Sequence, residues 1–126
     1  MKNRQFPTLF LLTLCVWFLA AQLASAADGF AGRWIGTYAN STGETGRDSL
    51  VVTEGPNGEL RAVWTGNINL AGRRTNATSA QLSGRTAKRS YQITATVRGN
   101  AMTMQYLATR LDSSGTYSGA VSLRRQ

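Results

Sequence analysis

Apolar and polar residues alternate along most of the chain after residue 32, and this alternation is typical of β-strands. No stretch of this region keeps the apolar repeat of an amphipathic helix, so helices are expected to be short or absent. Three rows in which every second residue is apolar or small are the clearest, and we expect them to face inward: Tyr91, Ile93, Ala95 and Val97; Met102, Met104, Tyr106 and Ala108; Tyr117, Gly119, Val121 and Leu123.

The alternation predicts seven or eight strands separated by short connections. Seven strands are placed at residues 33–39, 49–54, 60–65, 79–85, 90–98, 101–111 and 116–124. Between the second and the third, Gly55-Pro56-Asn57-Gly58 is typical of a hairpin turn, because Asn and Gly tolerate a positive φ. Residues 66–78 contain either a further short strand at Ile68 and Leu70 or one long loop, and the pattern leaves both open.

These strands favour a closed sheet. Short connections join antiparallel neighbours more readily than parallel crossovers, and closing the sheet removes its exposed edges. The chain has a single cysteine, Cys15, so no disulfide can support the region after residue 26. The predicted fold is therefore all-β, a small antiparallel up-and-down β-barrel of seven or eight strands.

The first 26 residues have the composition of a secretory signal peptide. Lys2 and Arg4 precede an apolar stretch at residues 9–19, and Ala24-Ser25-Ala26 supplies small residues for cleavage. The apolar stretch is shorter than the roughly 20 residues that a membrane-spanning helix needs. We expect cleavage near Ala26, a single barrel domain at residues 27–126, and a secreted or periplasmic protein.

The chain is basic, and this charge suggests an acidic partner. Without Lys2 and Arg4, 12 of the 14 basic residues remain against 6 acidic residues, which gives a net charge of +6. Five bases in or near predicted connections are candidates for contact with an anionic surface: Arg73, Arg74, Arg85, Lys88 and Arg89. The alternative is a solvated face that keeps a small barrel soluble. No aromatic residues are interleaved with these bases on an exposed face, so nucleic-acid binding is not specifically indicated.

Several classes of catalysis lack their usual residues. The chain has no histidine and, after residue 26, no cysteine, so the commonest general base, the commonest metal ligand and the thiol nucleophile are missing. Lys88 beside Ser90 is more simply a basic loop next to a strand than a Ser/Lys pair. We therefore expect no enzymatic activity, no cofactor and no metal.

Two motifs resemble the structural signature of the calycin superfamily, which includes the lipocalins, the fatty-acid-binding proteins and the avidins. These motifs are Gly32-Arg33-Trp34 at the start of the first strand and Leu123-Arg124 at the end of the last. The resemblance implies that Gly32 and Trp34 close one end of the barrel, with Arg124 across the indole ring as a cation–π partner and Arg125 as the second candidate. It places the function at the opposite end.

Among calycins the chain is most similar to the avidins and streptavidins, with the lipocalins as the second choice. Residues 48–60 resemble the second strand, turn and third strand of the avidins, and residues 81–85 resemble their fourth strand. Gly36, Asn40, Trp64 and Gly66 stand where an avidin-type pocket has Asn, Ser, Tyr and Ser. High-affinity biotin binding is therefore not expected. The resemblance implies a dimer or tetramer, although no residue fixes the number.

The inward rows predict that a small apolar or aromatic molecule binds near the open end of the barrel. The residues predicted to line the site are Asn40, Trp64, Tyr91, Met102, Met104, Tyr106 and Tyr117, with Thr65 and Gln105 as further polar edges. The alternative is an interior filled by these same side chains, since a barrel of about eight strands can be packed solid. A second functional hypothesis is an exported interaction or inhibitor module that binds an acidic macromolecule or envelope component through Arg-rich loops.

Overall fold

Residues 29–126, the part of the chain that the computed structural model describes, form eight antiparallel strands closed into a barrel. Each strand pairs with the next in sequence, and the last pairs with the first, which confirms the all-β up-and-down architecture. The strands are β1 (Gly32–Asn40), β2 (Thr45–Glu54), β3 (Glu59–Trp64), β4 (Ile68–Arg74), β5 (Ser79–Arg85), β6 (Arg89–Arg98), β7 (Ala101–Arg110) and β8 (Thr116–Arg125). The predicted signal peptide at residues 1–26 lies outside the described residues.

The eighth strand is β4, which lies in residues 66–78, the segment for which the sequence allowed either a short strand or a loop. Leu70 is its buried anchor and pairs with Ala62 on β3 and Gly84 on β5. The next inward position is Gly72, where a Cβ atom would lie 1.8 Å from the carbonyl oxygen of Gln81. Because no side chain fits at Gly72, the alternation is interrupted after two apolar residues, which made this strand hard to distinguish from a loop.

The turn between β2 and β3 has the predicted backbone geometry. Pro56–Gly58 forms a short 3₁₀ turn in which Asn57 has φ 60° and Gly58 has φ 76°. These left-handed conformations are the ones that Asn and Gly adopt most readily. Within residues 29–126, no helix is long and apolar enough to cross a membrane.

The three inward rows predicted from the alternation form the core. The rows of β6 and β7 are buried throughout, from Tyr91 to Val97 and from Met102 to Ala108 at every second residue. On β8, Val121 and Leu123 are buried, whereas Tyr117 and Gly119 are half-buried. The loss of burial toward Tyr117 marks one end of the barrel as the more accessible end.

The other end is closed by Trp34 and Arg125. The Arg125 guanidinium carbon lies 4.3 Å from the centroid of the Trp34 ring, and its Nη2 atom donates to the carbonyl oxygen of Gly29 at 2.6 Å. Trp34 is fully buried and donates from Nε1 to the carbonyl oxygen of Phe30 at 3.0 Å. A Cβ atom at Gly32 would lie 3.1 Å from Nη1 of Arg125, so the glycine leaves room for the guanidinium.

The prediction that Arg124 covers Trp34 is wrong, and the second candidate, Arg125, takes this place. Val121 and Leu123 face inward, so the period of two brings Arg125 to the inside and leaves Arg124 exposed on the outer face. We call the end with Trp34 and Arg125 the closed end and the opposite end the open end.

A second arginine strengthens the closed end. The Arg74 guanidinium carbon lies 5.0 Å from the centroid of the Phe30 ring, and its Nη2 atom lies 2.5 Å from Oε1 of Glu54. The same Glu54 oxygen accepts a hydrogen bond from the backbone N–H of Phe30 at 2.9 Å. The N-terminal segment is thereby fixed across the barrel end.

Candidate ligand-binding site

Four aromatic side chains come together at the open end, and we call them the ring cluster: Trp64, Tyr91, Tyr106 and Tyr117. The centroid of Trp64 lies 5.2 Å from that of Tyr91 and 5.1 Å from that of Tyr106, both in edge-to-face geometry. Tyr106 and Tyr117 are 6.3 Å apart and nearly perpendicular, at 89°. The structure thus brings together four of the residues predicted to line the site.

The ring cluster has a buried floor and an accessible top. Trp64, Tyr91 and Tyr106 are 4%, 5% and 7% exposed, whereas Tyr117 is half-buried. Burial is the main reason that the pKa values of Tyr106 and Tyr117 are raised above the usual value for tyrosine. Both phenols are therefore neutral at physiological pH, and Tyr117 is the ring that a molecule approaching the open end meets first.

A buried carboxylate is bonded to the ring cluster. Trp64 donates from Nε1 to Oδ2 of Asp48 at 2.8 Å, and the backbone N–H of Ser49 donates to Oδ1 at 2.9 Å. Asp48 is only 6% exposed, and its pKa is raised mainly by desolvation, although both hydrogen bonds act in the opposite direction. Sequence analysis missed this residue. The signal was its position in the inward row of β2, two residues before the buried Leu50.

Glycines on neighbouring strands make room for the tyrosines of the open end. A Cβ atom at Gly119 would lie 2.4 Å from the ring of Tyr106, its cross-strand partner. Gly46 stands in the same relation to Tyr38, at 2.9 Å from the ring. The rings lie against bare backbone and fill the space that side chains would otherwise occupy. Sequence analysis missed these pairs because they depend on the strand register.

The two predicted methionines lie deeper than the ring cluster. Met104 is fully buried one inward position below Tyr106. Met102 is a further inward position away and pairs with Val97 and Leu123, toward the closed end. The prediction that Met102 lines the open end is therefore wrong. Met102 and Tyr106 are four positions apart in sequence, a distance of about 13 Å along β7.

The polar residues predicted to border the site either form hydrogen bonds within their own loop or face the solvent. Asn40 is half-buried at the open end, but its Oδ1 atom already accepts hydrogen bonds from Oγ1 of Thr42 at 2.7 Å and from the backbone N–H of Glu44 at 3.1 Å. Thr65 is exposed in the β3–β4 turn with φ 55°. Gln105 is exposed on the outer wall, because Met104 and Tyr106 on either side face inward. Thr65 and Gln105 do not border the ring cluster.

Two arginines lie over the ring cluster at the open end, and we call them the mouth arginines: Arg89 and Arg110. Their guanidinium carbons are 5.5 Å and 4.9 Å from the centroid of the Tyr117 ring. Arg89 begins β6 and Arg110 ends β7, in the same inward rows as Tyr91 and Ala108. Arg89 was among the bases predicted to contact an anionic surface, whereas Arg110 was not among the predicted site residues.

The five bases predicted to contact an anionic surface do not form one continuous rim. Arg73 and Arg74 lie at the closed end, where they pair with Glu59 at 3.5 Å and with Glu54. Arg85, Lys88 and Arg89 lie at the open end, on both sides of the β5–β6 turn. The structure therefore divides the predicted basic surface between opposite ends of the barrel.

Gly36, which stands where the avidin pattern has Asn, leaves no room for a side chain. A Cβ atom at this position would lie 1.7 Å from the carbonyl oxygen of Ser122 on β8. The Asn of the avidin pattern cannot be accommodated there without moving the backbone.

No family model and no curated protein matches this chain. Its fold is similar to the solved structure of EF1p2_mFAP2b bound to DFHBI, with a TM-score of 0.56 and 12% sequence identity over 76% of this chain and 93% of that one. At this identity the likeness concerns the fold alone. It supports an antiparallel β-barrel and does not single out the avidins.

Proposed function

We propose that this barrel binds a small aromatic or apolar molecule at its open end, against the ring cluster. The observation that carries the proposal is the gathering of four aromatic rings at one end, while the other end is closed by Arg125 over Trp34. The structural neighbour holds a small aromatic dye, which supports a barrel of this shape as a container for such a molecule.

The ligand lies above the floor of the ring cluster. Trp64 and Tyr91 fill the barrel below the mouth, and the indole N–H of Trp64 is already bonded to Asp48. The half-buried Tyr117 offers the accessible ring surface. Each 100 Å² of apolar ligand area removed from water contributes about 2.5 kcal/mol. Because the rings already hold one another in edge-to-face contacts, little ordering is required on binding.

The proposal includes export and binding without catalysis. Export rests on the charged start, apolar stretch and small-residue cleavage pattern of residues 1–26. Binding without catalysis rests on the lack of histidine and cysteine after residue 26.

Fluorescence titration with 2-naphthol tests the proposal. In the Trp34→Phe variant Trp64 becomes the indole reporter of the barrel, and we expect saturable quenching as the naphthol ring approaches the ring cluster. Tyr117→Ala should weaken binding about tenfold, the equivalent of about 1.4 kcal/mol. Met102→Ala is the matched control, because it removes a buried side chain from the opposite half of the barrel. It should lower stability and leave the affinity unchanged.

Two results would contradict the proposal. One is the absence of saturable quenching up to the solubility limit of naphthol, in a protein whose circular dichroism shows an intact sheet. The other is an equal loss of affinity in Tyr117→Ala and Met102→Ala, which would show that the probe reports stability and not a site. Native mass spectrometry of the protein purified from its own source then identifies the retained molecule.

A further inference from the structure

The mouth arginines occupy a position that is unfavourable without a partner. Arg89 and Arg110 are direct cross-strand partners, and both belong to inward rows. Like charges opposite each other on neighbouring strands destabilise a sheet. Their guanidinium groups share the ring of Tyr117, which offsets part of the repulsion through cation–π contacts. The protein therefore concentrates two positive charges above the most accessible ring of the ring cluster.

The arginines at the closed end show a different arrangement. Arg125 donates to the backbone carbonyls of Gly29 and Ala31, and Arg74 is paired with Glu54. Within residues 29–126, ion pairs are formed by Arg73 and Arg74, and no carboxylate lies within ion-pair distance of either mouth arginine. Both ends of the barrel thus place guanidinium groups over aromatic rings, but within residues 29–126 the guanidinium groups of the closed end form ion pairs or hydrogen bonds to backbone carbonyls, and those of the mouth arginines do not.

The surroundings of the mouth arginines form an open groove of about 660 Å³. Lys88 lines it together with both arginines and adds a third positive charge. Its backbone carbonyl accepts a hydrogen bond from the N–H of Leu111 at 2.9 Å, which joins the β5–β6 and β7–β8 loops. The acid in this groove, Asp112, accepts a hydrogen bond from the backbone of Ser114 at 2.9 Å within its own turn. The groove is therefore positively charged.

We infer that the ligand of the open end is an aromatic anion. Its ring packs on Tyr117, and its carboxylate, sulfonate or phosphate group lies between the guanidinium groups of Arg89 and Arg110. The inference rests on the proposed function and specifies the ligand class. A guanidinium group holds a planar carboxylate through two parallel hydrogen bonds, and one anion between two arginines also relieves their mutual repulsion. A neutral aromatic molecule makes the ring contact alone.

A matched pair of probes tests the inference. 2-Naphthoate and the neutral 2-naphthalenemethanol have the same ring system and differ in the charge of one group. At low ionic strength we expect naphthoate to bind at least about tenfold more tightly. The variant Arg89→Gln/Arg110→Gln should abolish this preference and leave the affinity for naphthalenemethanol within about twofold, since the ring contact remains.

The control variant is Arg33→Gln/Arg98→Gln, which removes the same charge from two exposed positions on β1 and β6 near the closed end. It should keep the preference for naphthoate. If the double mouth variant fails to fold, Arg89→Gln alone tests the same point, because Arg89 is exposed and its loss leaves the core intact.

The outcomes separate the inference from the proposed function. Equal affinity for both probes in the unmodified protein overturns the inference and leaves the proposed function standing. Loss of naphthoate preference in the closed-end control overturns it too, because net charge alone would then account for the effect. Failure of both probes to bind contradicts the proposed function itself.

Discussion

The indole nitrogen of Trp64 donates a 2.8 Å hydrogen bond to the carboxylate of Asp48 inside the barrel. Within residues 29–126, Asp48 is the one acidic or basic residue whose side chain is buried. Its hydrogen bond fixes the orientation of the Trp64 ring, which contacts both Tyr91 and Tyr106 in the ring cluster. Its inward position is set by the period of β2, in which Leu50 and Val52 follow it on the same face. A titratable group is thus part of the floor of the proposed ligand site.

This burial gives the stability of the protein a specific pH dependence. Desolvation raises the pKa of Asp48 in the folded state above 3.8, so the folded protein holds this proton more tightly than the unfolded chain. As the pH rises through 3.8, the unfolded carboxyl ionises first, and the contribution of Asp48 to the free energy of unfolding falls. The fall ends once the pH has passed the raised pKa of the folded state.

Urea unfolding of the unmodified protein and of Asp48→Asn between pH 3 and pH 7, the range that brackets ordinary and raised carboxyl pKa values, measures this effect. The stability of the unmodified protein relative to the variant should decrease as the pH rises. Asp112→Asn is the control of opposite sign, because hydrogen bonds from Ser114 lower the pKa of Asp112. There the relative stability of the unmodified protein should increase with pH. A difference for Asp48 that stays constant over this range would refute the prediction.

The contact between Arg125 and Trp34 predicts unequal effects for two adjacent arginines. Arg125→Gln removes a cation–π contact and hydrogen bonds to the carbonyls of Gly29 and Ala31, and we expect the free energy of unfolding to fall by about 2 kcal/mol. Arg124→Gln changes an exposed residue on the outer wall and should alter stability by less than about 0.5 kcal/mol. Both variants have the same charge, so denaturant unfolding compares the local contacts of the two side chains and not a difference in net charge. Equal losses would show that Trp34 does not depend on Arg125.

The same pair of arginines shows which features of the fold the sequence pattern predicts. The alternation of Val121 and Leu123 predicts the inward face of β8, and extending it by one step selects Arg125. The family resemblance placed Arg124 first, and the physical period was the better guide. The strands, the inward rows and the β2–β3 turn follow from local patterns in this way, because each depends on residues that are neighbours in the chain.

The site itself depends on register, which local patterns do not contain. Tyr106 meets Gly119, and Arg89 meets Arg110, because particular residues stand opposite each other on adjacent strands. The depth of Met102 likewise depends on the direction in which β7 runs between the two ends. The identity of the aromatic residues was therefore predictable, whereas their neighbours and their distance from the open end were not.

The fit of Tyr106 against Gly119 predicts that the smallest added side chain disturbs the ring cluster. In Gly119→Ala the new Cβ atom would lie 2.4 Å from the Tyr106 ring, closer than any van der Waals contact, so the ring must move toward Trp64 or Tyr117. We expect the free energy of unfolding to fall by about 1–3 kcal/mol, the usual cost of overpacking a core. The near-ultraviolet circular dichroism should change because the geometry of the aromatic rings changes.

A double-mutant cycle shows whether this loss comes from the ring. In a Tyr106→Leu background the clash is removed, so Gly119→Ala should cost less than about 0.5 kcal/mol, and the difference between the two backgrounds measures the coupling. Ser118→Ala, on the exposed outer face of the same strand, is the control and should leave both stability and the aromatic spectrum unchanged. If Gly119→Ala destabilises both backgrounds equally, the glycine is required by the backbone of β8 and not by the ring of Tyr106. The geometry of the ring cluster would then be set by the contacts between its aromatic rings.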